Sequence, residues 1–221
     1  FDNKVIVWLN SIRAKARQGA KAPAELLMLN HLLHELRLYK SAEELAIMRK
    51  AATISANAHI RAMQVTKAGM YEYELEAELV YEFLRHGCSA PAYNTIVGSG
   101  ANACILHYIE NRRQMQKGDL VLIDAGAELD NYAADITRTF PVSGRFSGEQ
   151  KAVYDIVLAS QLAAIEAVHP DNHWDKPHSV AVEVLTQGLL DLGLLQGSLA
   201  GNIEQGTYRE FYMHRTGHWL G

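Results

Sequence analysis

Cysteine is nearly absent: Cys88 and Cys104 are the only two in 221 residues. That is too few for a disulfide framework, and the pair suits no thiolate metal site. The scarcity fits a reducing, cytoplasmic setting, and both residues read as buried small hydrophobes. Positive charge is in deficit as well. The formal net charge is -4 and the pI near 6.2, and no cluster of Lys and Arg interleaved with aromatics occurs. A phosphate backbone would find nothing to neutralise it, so nucleic acid is not an expected partner. Long apolar runs are missing too. None approaches the ~18 residues that cross a bilayer, and no basic segment followed by an apolar stretch opens the chain, so the expectation is a soluble protein with no membrane partner. Gly98-Ser-Gly100 lacks the spacing of a dinucleotide fingerprint or a P-loop and reads as a turn. No Gly-x-Ser-x-Gly elbow supports a serine hydrolase. The chain opens at Phe1 rather than Met and stops at His-Trp-Leu-Gly; both ends are expected to be cut.

What is present is a substantial core. Hydrophobic residues make up 48% of the chain, enough for one domain or a little more. Val5-Ile6-Val7-Trp8-Leu9 reads as a short strand before a basic loop, and residues 22–38 repeat Leu26, Leu29, Leu33 and Leu36 at helical spacing. Ser41-Ala-Glu-Glu44 has the form of a capping box and predicts a helix from 42 to about 63, with a linker at 39–41. A second helix is predicted over 72–86, ending at Gly87. Extended segments follow at Tyr93-Asn-Thr-Ile-Val97 and, after the Gly-Ser-Gly turn, at Ile105-Leu-His-Tyr108. Residues 119–126 and 132–140 read as two strands around a polar turn. Helices over 148–167 and 178–191 come next, and Phe211-Tyr-Met-His214 resumes an extended run. Residues 42–143 and 148–221 thus share the order helix, helix, strand, His, a weak repeat of about one hundred residues. If the repeat holds, a second hairpin is expected beyond Gly221.

The predicted hairpin carries two acids. A loop centred between Leu129 and Asp130 sets Asp124 and Asp135 opposite one another on one face, where like charges are destabilising. Leu120, Val121, Leu122 and Ile123 are apolar on both faces, so a buried site is expected, and buried carboxylates are costly unless paired or metal-bound. A divalent cation answers that demand. Two other accounts of the spacing stand beside it: one Asp serving the Asp-Ala-Gly turn while the other pairs with Arg138, or a dyad sharing a proton.

The histidines are less specific. His107, on a short apolar strand, reads by itself more readily as a core histidine than as a catalytic group. His214 and His218 have the i, i+4 spacing that chelates one ion on a helix. Gly217 and the aromatic run before it oppose a helix, which leaves at most one of the two as a direct ligand and the other behind it. His169, His173 and His178 lie among Pro170, Asp171, Asn172 and Pro177, a loop composition, and read as solvated.

Taken together, Tyr93-Asn-Thr-Ile-Val-Gly-Ser-Gly100, Leu106-His107-Tyr108, Gly118-Asp-Leu-Val-Leu-Ile-Asp124-Ala-Gly126, Tyr132-Ala-Ala-Asp135-Ile-Thr-Arg-Thr-Phe-Pro141 and His214-x-x-Gly-His218-Trp-Leu-Gly221 resemble the aminopeptidase P branch of peptidase family M24. The resemblance covers residues 40–221 and implies an incomplete metallopeptidase domain of the α/β pita-bread fold, pseudo-two-fold about a metal cleft. Residues 1–39 would be the end of the family's N-terminal domain. Carried over position by position, it makes Asp124 a ligand of one metal, Asp135 a bridge between two, and His218 a ligand of the other. His107 and His214 become the catalytic histidines, His107 beside the scissile carbonyl. It also implies two divalent ions, typically Mn2+, holding a hydroxide that attacks the peptide bond before a proline at the second position. Peptides with proline second would be the substrates, and a homo-oligomer is compatible with the reading.

The family's two glutamate ligands and a further His are expected C-terminal to Gly221. Arg215 stands where the pattern has Gly, and Asp171 follows Pro170 where Gly is usual. Four other functions share this fold or ligand scheme: a prolidase restricted to dipeptides, a methionine aminopeptidase, a metal-free creatinase-like hydrolase, and a non-catalytic pita-bread binding module. The retained Asp124, Asp135 and His218 disfavour the last two. The Tyr-Asn-Thr-Ile-Val-Gly-Ser-Gly and Asp-Ile-Thr-Arg-Thr-Phe-Pro segments set the proline-directed branch ahead of methionine aminopeptidase.

Overall fold

The computed structural model describes residues 1–220; Gly221, the last position of the His214-x-x-Gly-His218-Trp-Leu-Gly motif, lies outside the described residues. Two compact units divide between Ser41 and Ala42. In the first, α1 (Asp2–Ala14) occupies the segment expected to be a strand. A five-residue apolar run cannot by itself distinguish strand from helix. Here no Gly or Pro interrupts residues 2–14, and Asp2 in the first turn and Arg13 in the last suit the helix dipole. Helix α2 (Leu29–Leu38) begins after Leu26, so three of the four spaced leucines lie on it.

The second unit is built on α3 (Ala42–Val65) and α4 (Glu72–Arg85) packed beneath antiparallel strands. Small side chains face inward from α3: Ala51, Ser55, Ala58 and Ala62 are all fully buried. At that spacing they let the backbone approach the sheet closely, and Ser55 uses its hydroxyl to accept the Ala127 amide at 2.9 Å. Leu75, Leu79 and Phe83 of α4 complete the layer with no exposed surface.

Strands β1 (Ala90–Pro91), β4 (Ala127–Leu129) and β5 (Tyr132–Ala133) form one small sheet. Strands β2 (Ile96–Ser99), β3 (Leu120–Ala125) and β6 (Ile136–Pro141) form the other, in the order β2-β3-β6. The two predicted long strands are therefore each divided, one at Gly126 and the other at Ala134 and Asp135. The expected strand at 105–108 is absent among the described residues. A 3-10 turn over Gly100–Cys104 leads into an irregular loop there. Cys104 is exposed, against the expectation of burial, while Cys88 is buried.

Helices α5 (Gly148–Glu166) and α6 (Lys176–Asp191) pack so closely that a Cβ on Gly188 would lie 2.4 Å from Ile156. Ser147 and Gln150 form a reciprocal capping box at the start of α5. Beyond α6, where an extended run was expected after Phe211, the chain forms α7 (Leu199–Gln205), a 3-10 turn over Thr207–Glu210 and then irregular backbone.

Candidate active site

Strand β3 alternates half-buried and buried positions, so Val121, Ile123 and Ala125 face the helices while Leu120, Leu122 and Asp124 face away from them. The acids therefore stand on an open face rather than in the buried site expected. Leu120 and Leu122 cover that face without sealing it, and Asp135 belongs to an exposed residue position.

The register also differs from the expectation. Asp130 (φ 50) and Asn131 (φ 69) are both left-handed, as the central residues of a tight two-residue hairpin must be, and Asp and Asn tolerate that conformation. Leu129 consequently pairs with Tyr132, and Asp124 with Thr137 instead of Asp135. Moving the turn by one residue moves each partner by two, an even slip that keeps both acids on the same face. Asp135 becomes a diagonal neighbour of Asp124, within reach of a shared side chain.

Tyr93 is that side chain. It comes from the turn between β1 and β2, and its hydroxyl oxygen lies 2.6 Å from Asp124 Oδ1 and 3.0 Å from Asp135 Oδ1. A hydroxyl carries one proton and can donate to only one of the two carboxylates. The pair is thus one donor short. Burial first, and then the Asp124 carboxylate, push the Tyr93 hydroxyl far above its ordinary range, so it remains a donor. Arg138 does not relieve the deficit, since its guanidinium donates to the Thr137 carbonyl at 2.8 Å.

His218 does relieve it in part. Its Nε2 lies 2.9 Å from Asp135 Oδ2 and its Nδ1 lies 2.8 Å from the Trp219 carbonyl. Both ring nitrogens face acceptors, and these two hydrogen bonds, the one to Trp219 foremost, raise the imidazole above its usual value. His214 instead places Nδ1 2.8 Å from the Arg215 carbonyl and its ring edge-on to Tyr212 at 4.7 Å. His107 is exposed, with φ 56, in a turn rather than on the strand expected. Among the described residues neither His107 nor His214 is hydrogen-bonded to the acidic pair. The structure therefore brings Asp124, Asp135 and His218 together and leaves the two proposed catalytic histidines outside that direct contact.

Among the described residues no group of three or more His, Cys, Asp or Glu is placed to hold a metal ion. The donor chemistry, two carboxylates and an imidazole on one face, is nevertheless that of a divalent-ion site. The Tyr93 hydroxyl lies between the two acids, and the His218 imidazole lies against Asp135.

Sequence reasoning assigned no role to Tyr93 although it opens the first motif. Only the pairing of Ile96 with Asp124 shows that the turn preceding β2 lies beside the acids. Arg215 pairs with Asp175 at the head of α6. Among the loop histidines, His178 departs from expectation. His178 is not solvated: it is half-buried on α6 with Nδ1 2.9 Å from Thr216 Oγ1, and burial, then Arg215, lower its pKa. His169 and His173 are exposed, each beside the Asp two residues on.

A family model for metallopeptidase family M24 matches residues 46–221. The chain is 48% identical over 213 residues to the Xaa-Pro aminopeptidase of Escherichia coli K12, covering 96% of this chain and 48% of that protein. It is 50% identical over 198 residues to the Xaa-Pro aminopeptidase of Haemophilus influenzae, covering 90% and 46% respectively. Among solved structures, Pseudomonas aeruginosa aminopeptidase PepP superposes with a TM-score of 0.95 at 56% identity, over all of this chain and 50% of that one. Zinc-substituted E. coli aminopeptidase P in complex with product gives 0.93 at 48% identity, over 96% and 48%. The chain spans about half the length of the curated relatives it matches. The α/β pita-bread architecture expected from the motifs is the fold of these neighbours.

Proposed function

Because the chain belongs to metallopeptidase family M24, we propose that the protein containing it is a proline-directed metalloaminopeptidase, releasing the N-terminal residue from peptides whose second residue is proline. The observation that carries this is the convergence of Asp124, Asp135 and His218 on one sheet face, with fewer protons between them than their acceptors can use. In this reading Asp124 holds one divalent ion, Asp135 both, and His218 the other, and manganese is the expected metal. Bound there, the ions supply an acidified water and a polarised carbonyl. The chain's own residues prepare the site. Trp219 holds His218 Nδ1, which fixes the ring so that Nε2 points at Asp135 and becomes available on losing its proton. Tyr93 places its hydroxyl against both carboxylates. His107 and His214 are assigned to the substrate carbonyl and its tetrahedral intermediate. A cytoplasmic location belongs to the same reading and rests on the scarcity of cysteine; among the described residues no helix is long and apolar enough to cross a membrane.

The test is hydrolysis of Gly-Pro-type tripeptides by the full-length protein. Glycine release should require added manganese, stop on chelation and return on readdition. Cleavage confined to Xaa-Pro dipeptides would move the assignment to a prolidase, and manganese-saturated protein with no turnover would remove it from the peptidases.

Tyr93→Phe gives a second expectation. Without the hydroxyl, two acids face each other with one donor fewer, which should cost about 1–3 kcal/mol in metal-free protein. The deficit should shrink on saturation with manganese, because the cation takes over charge compensation. Thermal melts with and without metal read the difference directly, and equal losses in both states would rule out that role for the hydroxyl.

A further inference from the structure

Glu72 is the first residue of α4 and has no exposed surface, yet it belongs to none of the roles described so far. Its Oε1 accepts the Ser99 amide and the Ser99 hydroxyl, both at 2.7 Å. Its Oε2 accepts the Tyr108 hydroxyl at 2.8 Å and the Arg113 amide at 2.9 Å. Asn102 Nδ2 reaches Oε1 at 3.3 Å and the Tyr108 oxygen at 2.9 Å. The start, middle and end of one loop thus converge on a single carboxylate. A carboxylate this deep is costly unless its lone pairs are met; here they are met by loop donors, and the α4 N-terminus adds favourable partial charge.

The loop so gathered carries His107. Its backbone sits at φ 56, immediately before Tyr108, in a conformation that non-glycine residues keep only where their surroundings impose it. Asn111, at φ 49, is held likewise: its Oδ1 accepts the Val97 amide and its Nδ2 donates to the Thr95 carbonyl, each at 2.9 Å. The His107 side chain is exposed, so packing does not fix its place. Its backbone is fixed by what Tyr108 and Asn102 grip on either side.

We propose that Glu72 is a positioning residue for the peptidase reaction, holding the 99–113 loop in the form that presents His107. This rests on the assignment of His107 to the substrate carbonyl. The step is one of geometry, and Glu72 touches no reacting atom.

The experiment is a double-mutant cycle in the full-length, manganese-loaded protein, combining Tyr108→Phe, His107→Ala and both together, with Glu72→Gln as the more severe variant. Tyr108→Phe keeps the buried ring and deletes one grip on the carboxylate, so it should fold where Glu72→Gln does not. His107→Ala should lower kcat about 10²-fold, and Tyr108→Phe roughly tenfold. Adding Tyr108→Phe to His107→Ala should lower kcat no further, at unchanged metal content, while hydrogen exchange of residues 100–112 speeds up. An equal fall in both backgrounds would make the anchor merely structural and overturn the proposal. So would unchanged kcat and unchanged exchange in Tyr108→Phe. Full turnover by His107→Ala would show instead that the assignment of His107 is what fails, and the proposal would fall with it.

Discussion

Asp135→Asn should reduce turnover of a Gly-Pro tripeptide by about three orders of magnitude or more, some 4 kcal/mol of transition-state stabilisation, while leaving the fold intact. The substitution is isosteric, so no cavity forms. Its effect is chemical. Asp135 presents Oδ1 to the Tyr93 hydroxyl and Oδ2 to His218 Nε2, and an amide has only one oxygen to offer. Turned towards Tyr93, its NH2 could donate to the phenolic oxygen, whose one proton serves the nearer Asp124; turned towards His218, its NH2 would meet a ring nitrogen that was oriented as a donor. The same change removes the charge expected to bridge two cations. Stability should move little. The His218 side chain is 67% exposed, so its pairing with Asp135 contributes weakly, and loss of the like charge beside Asp124 offsets part of that. Turnover, metal content and melting temperature measured on one preparation separate these effects. Substantial activity in the variant would remove Asp135 from the metal site.

How much of this was legible in the sequence depends on which interactions settle each feature. Helix α3 is marked by the Ser41-Ala-Glu-Glu44 capping pattern and α4 by the stop at Gly87, and their expected ends fall within two residues of those found. Residues 5–9 fail because the information lies in what flanks them: an apolar pentad is read as strand or helix according to whether breakers bound it, and none does here. The hairpin divides in an instructive way. That Asp124 and Asp135 share a face is a matter of parity and was readable; which residue opposes which depends on turn geometry, decided by Asp130 and Asn131. The 99–113 loop was hidden for a different reason. Ile105 and Leu106 look like strand residues but are exposed, because the loop is organised by hydrogen bonds to Glu72, 27 positions before its first contact. No local pattern announces a buried carboxylate whose partners are loop amides and hydroxyls. Tyr93 was unassigned on similar grounds, since its contacts with Asp124 and Asp135 span 31 and 42 residues.

Gly126→Ala should be the most destabilising single methyl added to this chain. A Cβ there would lie 1.7 Å from the Ala134 carbonyl oxygen and 2.6 Å from its carbon. The obstacle is backbone, not the end of a flexible side chain, and the surrounding hydrogen bonds fix it. Ala134 N donates to the Ala127 carbonyl at 2.9 Å, and Ala92 N donates to the Gly126 carbonyl at 2.9 Å. Separation of the strands would break the link between β3 and β4 and loosen β1 as well. The expected loss is at or above the ~3 kcal/mol upper range for overpacking, roughly 6–12 °C in melting temperature for a chain of this size. Gly148→Ala is the matched control. It has no atom within 4 Å of a new Cβ and no positive φ, and should stay within about 0.5 kcal/mol of the unaltered protein. Activity carries a further consequence, because the carbonyl that must move belongs to the residue before Asp135. Any Gly126→Ala molecules that still fold would have Asp135 displaced from Tyr93 and His218, so turnover per folded molecule should fall along with the melting temperature. A variant that melts within about 1 °C of the unaltered protein, far inside the 2–4 °C expected per kcal/mol, would show that the sheet can open at this crossing without cost, and the close approach of Gly126 to Ala134 would then not be what aligns the two acids.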